Sequence, residues 1–404
     1  MTAAIRLNRA GWLVLVAAAI VLGLNMGVRQ TFGLFLEPMV AALEIPRGTF
    51  ALAIAFQNLL WGALQPLFGG LADRYGTGRL LALGGALYAA GILVMAGVPT
   101  PLGLHLGGGV LVGIAVAACG FPLVLSAVAR AAPEERRSAW LGLATAGGSL
   151  GQFLLLPGTQ AVIGAYDWVT GLVVLAAAAA LVVPLAWVLR GKPAAARLGE
   201  QSLREAFDEA VRHRGFLLLN AGFFVCGFHV AFVATHLPAY ISETGLPAFV
   251  GATALSLVGF FNVVGAFACG WLGGRYRKKH VLSLLYLGRA VAIFLMLLAP
   301  KTELTVYLFA GAFGLMWLGT VPLTSGLVGQ IFGPRYLATL FGIVMLSHQV
   351  GAFFGAWLGG LFYDMTGSYT IVWGLAIALG LMAAGLHAPI ADAPMRRPAA
   401  AQAG

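Results

Sequence analysis

Charged residues are scarce in this chain of 404 residues. Asp, Glu, Lys and Arg together make up 9% of it, whereas 60% of the residues are hydrophobic. No soluble core needs that much apolar surface, but a protein whose outside meets lipid does. The composition therefore excludes an ordinary soluble domain and predicts an integral membrane protein.

Cysteine is almost absent, and so are the motifs of several enzyme classes. Cys119, Cys226 and Cys269 all lie in apolar segments, which excludes a disulfide framework. No G-x-x-x-x-G-K-[ST] sequence occurs, so ATP-driven pumping by this chain is unsupported. Residues 147–151 match G-x-S-x-G but follow no strand, which excludes a nucleophile elbow. The sequence predicts no catalytic residue, no metal site and no cofactor.

Long apolar runs dominate what is present. Each is 20 to 29 residues long, and about 20 residues are enough to span a bilayer as a helix. The first follows Arg6 and Arg9 like a signal peptide, but it is too long and lacks a small-residue cleavage site, so we interpret it as a retained helix. The twelve runs are 11–38, 49–71, 79–98, 102–130, 137–163, 167–189, 215–241, 248–273, 280–299, 304–330, 336–362 and 369–388.

One long polar segment, 190–214, divides these runs into six and six. Within it, Ser202 and Glu205 have the spacing of a capping box, and Leu203, Phe207 and Val211 fall on one helical face, which predicts an amphipathic helix on the membrane surface. The predicted domains are a six-helix bundle at 1–190, a linker at 191–214, a second six-helix bundle at 215–390, and a disordered cytoplasmic tail at 391–404.

The two halves also repeat each other in sequence. A shift of 200 residues matches Pro38 with Pro238 and Pro122 with Pro322, and it brings Arg29 onto His229. Parallel repeats of this kind are typical of transporters that rock around a central site.

The distribution of charge predicts the topology. The net charge of +10 does not indicate a nucleic-acid partner, because the cations fall in short loops between apolar runs. With both termini inside, only Arg47 and Lys301 lie outside, and Arg29 and Arg289 lie within the membrane. This pattern predicts a multi-pass protein of the cell membrane, in a bacterial inner membrane, with cytoplasmic termini.

The fourteen acidic residues all fall at helix ends or in loops, so none is placed to pair with Arg29 or Arg289 inside the membrane. A carrier of organic cations needs a buried acid, and this chain offers buried cations and histidines instead. The sequence therefore predicts an anionic substrate, most simply an organic carboxylate.

The segment "GGLADRYGTGR", at 69–79, resembles the loop signature of the major facilitator superfamily. The resemblance covers essentially the whole chain and implies twelve helices in two pseudo-symmetric bundles, that is, an all-α membrane fold that works by alternating access. It implies gating roles for Asp73, Arg74 and Arg79. The second copy of the motif keeps Arg275 but has Gly274 where the first copy has Asp73. The second half therefore lacks an equivalent acidic gating residue.

Two further segments, "GFHVAFVATHLPAY" and "LSHQVGAFFGAWLGG", are similar to bacterial proteins related to the monocarboxylate transporters. The acid and the arginine that those transporters carry in their eighth helix correspond here to Asn262 and Ala266. The eighth helix therefore departs from the carboxylate-binding pattern of those transporters. Arg29, on the first helix, is the predicted anion ligand. Other polar residues predicted to contact substrate are Asn25, Gln57, His229, Asn262, Thr320, His348 and Gln349.

Each of these assignments has a structural alternative. Arg29 lies about 13 Å from Pro38 at helical rise, so it could instead snorkel to the outer interface. His348 lies near the middle of its run and is predicted to carry the coupling proton, with His229 assisting, but a neutral histidine that bridges two helices would fit the same place. Arg289, on a peripheral helix, is predicted to brace backbone carbonyls.

These observations predict a monomeric secondary carrier, embedded in the lipid bilayer, that moves a small organic anion with a proton. An exporter of a drug or other metabolite and an anion exchanger are the alternatives. A receptor with the same fold is a third possibility, which measured flux would separate from a carrier.

Overall fold

The computed structural model describes residues 9–133, 137–191, 203–333 and 337–395, and within them the regular secondary structure is helical. Helices α1 to α10 form the N-terminal half: Arg9–Thr31, Leu36–Leu43, Arg47–Tyr75, Thr77–Gly97, Pro101–Gly103, Val112–Ala118, Phe121–Ala131, Arg137–Ala165, Trp168–Ala180 and Val182–Val188. Helix α11, Leu203–Arg212, lies in the linker. Helices α12 to α18 form the C-terminal half: Arg214–Glu243, Ala248–Arg275, Lys278–Leu298, Glu303–Leu315, Thr320–Phe332, Leu337–Thr366 and Thr370–His387.

The helices account for all twelve predicted spans. Among the described residues, 11 segments are long and apolar enough to cross a membrane. The predicted fifth run is α8, which has 29 residues and would be about 43 Å long, enough to cross a bilayer. It carries the buried polar residues Gln152 and Thr159. The predicted all-α membrane fold is confirmed.

Four spans are interrupted rather than continuous. One is the sixth, which breaks between α9 and α10 at Leu181. The first contains a 3-10 turn, Phe32–Phe35, and the fourth contains a π-helical stretch, Leu104–Leu111. The fourth breaks again between α6 and α7 at Gly120, where Pro122 follows and cannot supply a backbone N–H. The tenth breaks between α15 and α16. Such breaks are tolerated in a bilayer only where other groups satisfy the freed carbonyls.

Glycines allow helices to approach closely within each half. In α17, a methyl group at Gly351 or Gly355 would overlap the carbonyl oxygen of Phe224 or Phe228 in α12. Gly227 of α12 lies equally close to the His348 carbonyl. Gly351 and Gly355 therefore form a packing surface on α17, as expected where van der Waals contact holds membrane helices together.

The two halves touch along α8 with α13 and along α3 with α17. In the first pair, Gln152 Nε2 donates to the Leu255 carbonyl at 3.1 Å, and Ser256 Oγ donates to the Phe153 carbonyl at 2.7 Å. In the second pair, Gly62 lies against the Gln349 side chain, 2.5 Å from where a Cβ would stand.

The contact between the halves is lost toward one face of the molecule. We call the face that carries both chain ends the terminal face, and the other the opposite face. Two helical turns from Gly62 toward the terminal face, Gly69 has open space around it, and so do Gly342 on α17 and Gly142 on α8. The halves therefore meet at the opposite face and separate at the terminal face.

Two predictions for the polar segments need correction. Helix α11 forms as predicted, but it buries Ala206 and Ala210 while Phe207 stays 43% exposed, because the small side chains let the helix lie close to the bundle. The side chain of Leu203 lies outside the described part.

The start of the predicted disordered tail is ordered. Within it, Asp392 accepts hydrogen bonds from Arg277, and Met395 donates its backbone N–H to the Ile331 carbonyl. The hydrogen bond from Arg277 lowers the pKa of the Asp392 carboxyl. Residues 396–404 lie outside the described part.

Candidate substrate site and gate

Arg29, near the end of α1, is held against α3. Its Nη1 donates to Asn58 Oδ1 at 3.0 Å, and its guanidinium carbon lies 4.7 Å from the centroid of the Trp61 ring. Asn58 donates its own Nδ2 to the Ile54 carbonyl at 2.8 Å, which turns its oxygen toward Arg29. The arginine is partly exposed and points to a neighbouring helix rather than to a membrane face.

Several buried polar atoms around this arginine lack a partner among the described residues. They include Arg29 Nε, Trp61 Nε1 and both amide atoms of Gln349, which is fully buried. Buried polar atoms are normally hydrogen-bonded, so unsatisfied ones indicate a missing ligand or water. Trp61 contacts Arg29 of α1, and the next residue of α3, Gly62, lies against Gln349 of α17. The unpaired atoms therefore belong to α1, α3 and α17. We take this as the candidate substrate site.

Two predicted substrate ligands in the N-terminal half donate to backbone carbonyls. Their side-chain oxygens, Asn25 Oδ1 and Gln57 Oε1, have no partner among the described residues, and their contact with substrate stays a prediction. Asn25 Nδ2 donates to the Cys119 carbonyl at 3.0 Å, at the break in the fourth span. Gln57 Nε2 donates to the Gly108 carbonyl at 2.8 Å, in the π-helical stretch. Both side chains satisfy irregular backbone in a place where lipid could not.

Two others lie inside the C-terminal half. His229 is fully buried, and its Nε2 lies 2.8 Å from the Ala376 carbonyl on α18. Thr320 is also fully buried, with its hydroxyl 3.2 Å from the thiol of Cys226. The structure does not bring either residue to Arg29.

His348 and Asn262 are closer to the division between the halves. The His348 ring lies 5.1 Å from the Phe223 ring, and its Nδ1 has no partner among the described residues. Asn262 donates to Ser149 Oγ of the other half at 3.1 Å and accepts from the Leu318 N–H at 2.9 Å. Asn262 therefore joins the halves, on the α8–α13 side.

Arg289 has the geometry of a structural residue. It is fully buried, and its guanidinium donates to the carbonyls of Met316 and Trp317. These carbonyls lie at the break between α15 and α16, where the helix leaves them without a partner. The prediction that Arg289 braces backbone carbonyls fits this arrangement.

The predicted gating residues cluster at the terminal face. Asp73 and Arg74 belong to α3, but their side chains lie outside the described part. Arg79 is exposed and lines a cavity of about 330 Å³ together with Arg190. Arg275 is exposed at the end of α13, with its guanidinium 5.6 Å from the Trp271 ring. Their gating roles stay predictions.

Sequence reasoning missed a second charged cluster, at the opposite face. Arg47, the first residue of α3, forms an ion pair with Glu243 of α12 at 2.6 Å and donates to the Tyr369 hydroxyl at 2.8 Å. The backbone N–H groups of Arg47 and Gly48 donate to the Asp364 carboxylate of α17 at 2.9 and 2.6 Å. This cluster could have been predicted from the sequence, because Arg47, Glu243 and Asp364 all fall at helix ends on the same side of the membrane.

Two halves that meet around unsatisfied polar atoms, closed at one face and apart at the other, define the class of alternating-access membrane transporters. The family model of the Major Facilitator Superfamily matches residues 18–319 and 252–403. The chain therefore belongs to the major facilitator superfamily, and the prediction made from its loop signature is confirmed.

Known proteins similar to this chain are transporters. Monocarboxylate transporter 13 of Bos taurus is 28% identical over 93% of this chain and 88% of its own length. The uncharacterized MFS-type transporter YcxA of Bacillus subtilis (strain 168) is 25% identical, over 96% of this chain and 95% of its own. The oxalate:formate antiporter of Oxalobacter formigenes is 25% identical, over 86% and 84%.

Solved structures agree on the fold. A crystal structure of a bacterial homologue of the human lysosomal transporter Spinster superposes with a TM-score of 0.73 over 93% of this chain and 95% of that one, at 15% identity. The protein is a multi-pass membrane transporter and not an enzyme.

Proposed function

We propose that this transporter moves a small organic anion, of the monocarboxylate class, together with a proton. The observation that carries the proposal is the environment of Arg29: a half-buried permanent cation whose Nε has no partner among the described residues, beside a Trp61 indole N–H that also has none. A carboxylate can accept two parallel hydrogen bonds from one guanidinium, which balances its charge and satisfies these donors together. The names of the monocarboxylate transporter and the oxalate:formate antiporter support the same substrate class.

The absence of a competing acid strengthens this assignment. Among the described residues no carboxylate pairs with Arg29, so the site is not already neutralised. A cation at the centre of a bilayer costs about 2.5–3.5 kcal/mol on insertion scales, and an anionic substrate would offset that cost when it binds. An organic cation would meet repulsion from Arg29 and find no acid to hold it.

The terminal face is proposed to be cytoplasmic, because most of the Lys and Arg residues of the chain fall on that side. In this orientation the protein lies in a bacterial inner membrane with both termini inside, and residues 1–190 and 215–390 form the two moving bundles. In this orientation the face at which the halves are in contact is the outer one, and the face with open space around Gly69, Gly142 and Gly342 is the cytoplasmic one.

Uptake by proteoliposomes tests the proposal. We expect flux of radiolabelled lactate, formate or oxalate by the native protein and none of lactamide, which keeps the size of lactate but not its charge. Arg29→Gln should abolish this flux. Arg29→Lys should keep the fold and weaken affinity by about tenfold or more, because lysine cannot make the bidentate contact.

Arg212→Gln is the matched control, since Arg212 is an exposed arginine of the linker helix. It should transport like the native protein. Normal carboxylate affinity in Arg29→Lys would instead identify Arg29 as an interfacial anchor. Equal flux of lactate and lactamide would favour the metabolite exporter.

A further inference from the structure

The charged cluster at the opposite face connects the two halves through one residue. Arg47 belongs to the N-terminal half, whereas Glu243, Asp364 and Tyr369 belong to the C-terminal half. We propose that Arg47 is a gating residue that latches the opposite face shut, and that these four residues with Gly48 form the Arg47 latch. Which side of the membrane the latch closes depends on the orientation proposed above. The contacts that form the latch do not depend on it.

One part of the latch is a helix cap supplied across the interface. Helix α3 begins at Arg47, and the residue before it, Pro46, provides no side-chain cap. The first N–H groups of a helix have no partner inside it, and a negative charge there is favourable. Asp364 accepts from two of them, so α3 receives its cap from the other half. Separation of the halves at this face removes that cap.

The other part is the Arg47 guanidinium, which is enclosed by the C-terminal half. It pairs with Glu243, donates to Tyr369, and its carbon lies 3.9 Å from the centroid of the Tyr363 ring. Charge-assisted hydrogen bonds of this kind are about twice as strong as neutral ones. The Tyr369 hydroxyl is also 3.3 Å from His236 Nδ1, which extends the contact into α12. Burial raises the pKa of Tyr369, so its hydroxyl stays protonated and can serve both neighbours.

The latch can open without leaving a bare charge. Glu37, on α2 of the same half as Arg47, has an oxygen 3.7 Å from the guanidinium. When the halves part, Glu37 can remain with Arg47 while Glu243 moves away. Removing one partner of an ion pair destabilises a protein when the remaining charge is buried without a partner. Here Glu37 remains beside Arg47 as a second carboxylate. This exchange of partners makes the contact reversible, as a gate requires.

Accessibility of a cysteine reporter measures the latch directly. Ala55→Cys places a thiol on α3 two turns before Gly62, at a position that is fully buried in this structure. The three native cysteines are buried and set the background. A membrane-impermeant maleimide, added to the opposite face of proteoliposomes, labels the reporter only when that face opens. Arg47→Gln should raise the labelling rate by about tenfold, since couplings of this size are usual between conformational states.

Lys301→Gln is the matched control. Lys301 lies at the same face but donates only to carbonyls of its own segment, at Met296, Leu297 and Ala299, so its loss should leave labelling unchanged. Asp364→Asn is the second variant. It keeps the side-chain shape, weakens the cap and should raise labelling in the same direction, by less.

Unchanged labelling in Arg47→Gln and Asp364→Asn, with melting temperatures near that of the parent, would overturn the latch. If Arg47→Gln does not fold, the labelling rate in Asp364→Asn alone tests the latch: a raised rate supports it and an unchanged rate overturns it. The measurement needs no substrate. If the labelling rate changes as expected but the protein transports no carboxylate, the latch is supported and the proposed function is wrong. If the protein transports carboxylates but the labelling rate does not change, the proposed function is supported and the latch is wrong.

Discussion

Two arginines inside the membrane illustrate how differently one residue type can be used. The sequence places both Arg29 and Arg289 in apolar runs without a nearby acid. In the structure, Arg289 donates to two backbone carbonyls, whereas Arg29 has one side-chain partner and a free Nε. Each guanidinium also keeps one buried nitrogen without a partner among the described residues, Nη1 of Arg289 and Nε of Arg29. The contrast therefore lies in what holds each residue: two backbone carbonyls hold Arg289, and one amide side chain holds Arg29.

This contrast predicts opposite effects on stability. Arg289→Gln should lower the melting temperature, because it leaves the Met316 and Trp317 carbonyls unpaired, and hydrogen bonds to a charged donor are worth about 1.5–3 kcal/mol each. Arg29→Gln should leave the melting temperature of the unliganded protein the same or higher, because it removes an expensive buried charge. Thermal unfolding in detergent without substrate measures both.

The pair serves as its own control, since both variants make the same chemical change inside the membrane. Equal destabilisation would show that Arg29 is also a structural residue, and would remove the argument that it waits for an anion.

The local partners of these residues could not be read from the sequence. Asn58 lies in an apolar run and carries no periodic signal, yet it orients Arg29. Asn25, Gln57 and His229 were predicted to contact substrate, but each is bonded to a backbone carbonyl. Two of those carbonyls, at Cys119 and Gly108, lie at irregular places in the fourth span. Hydropathy detects a span but not an interruption within it.

At the scale of helices, the sequence was more informative. All twelve runs became helical spans, because length and apolarity are what a bilayer requires of a helix. The glycines of α17 recur at every fourth position at Gly351, Gly355 and Gly359, a spacing that favours close packing of membrane helices. It could not show which glycines are essential, since that depends on the neighbouring helix. Gly351 faces the Phe224 carbonyl, whereas Gly342, on the same helix, faces open space.

This difference predicts the outcome of two identical substitutions. Gly351→Ala should lower the melting temperature strongly and reduce transport, because the added methyl group forces α17 away from α12. Gly342→Ala should be neutral or stabilising by about 0.5–1 kcal/mol, because alanine is the better helix former and meets no atom there. Thermal unfolding and uptake of the same carboxylate check both variants. A tolerated Gly351→Ala would mean that these helices pack less closely than described here.

At the scale of the molecule, the internal repeat predicted two related halves but not the state in which they are found. Both open states of an alternating-access carrier use the same helices, so the sequence alone does not favour either one. The choice depends on contacts between halves, such as those of Arg47 and Asn262, whose partners are more than a hundred residues away. These pairings follow from the tertiary fold rather than from local pattern.

Coupling to a proton is a property of this whole-molecule cycle, and His348 is the residue proposed to carry it. Its Nδ1 is unpaired among the described residues and it lies on α17, which contacts the other half at Gln349. His348→Gln should preserve exchange of substrate across the membrane but abolish uphill uptake driven by a pH gradient. Glutamine keeps the hydrogen-bonding capacity of histidine and does not titrate near neutral pH.

Measurements of exchange and of gradient-driven uptake in the same proteoliposomes separate these two activities. His229→Gln is the comparison, because His229 is fixed to the Ala376 carbonyl inside the C-terminal half. It should reduce stability and leave the ratio of uphill uptake to exchange unchanged. If gradient-driven uptake survives in His348→Gln but fails in His229→Gln, the proton is carried by His229. If the native protein shows exchange but no uptake driven by a pH gradient, the carrier is an anion exchanger and His348 is a bridge between helices.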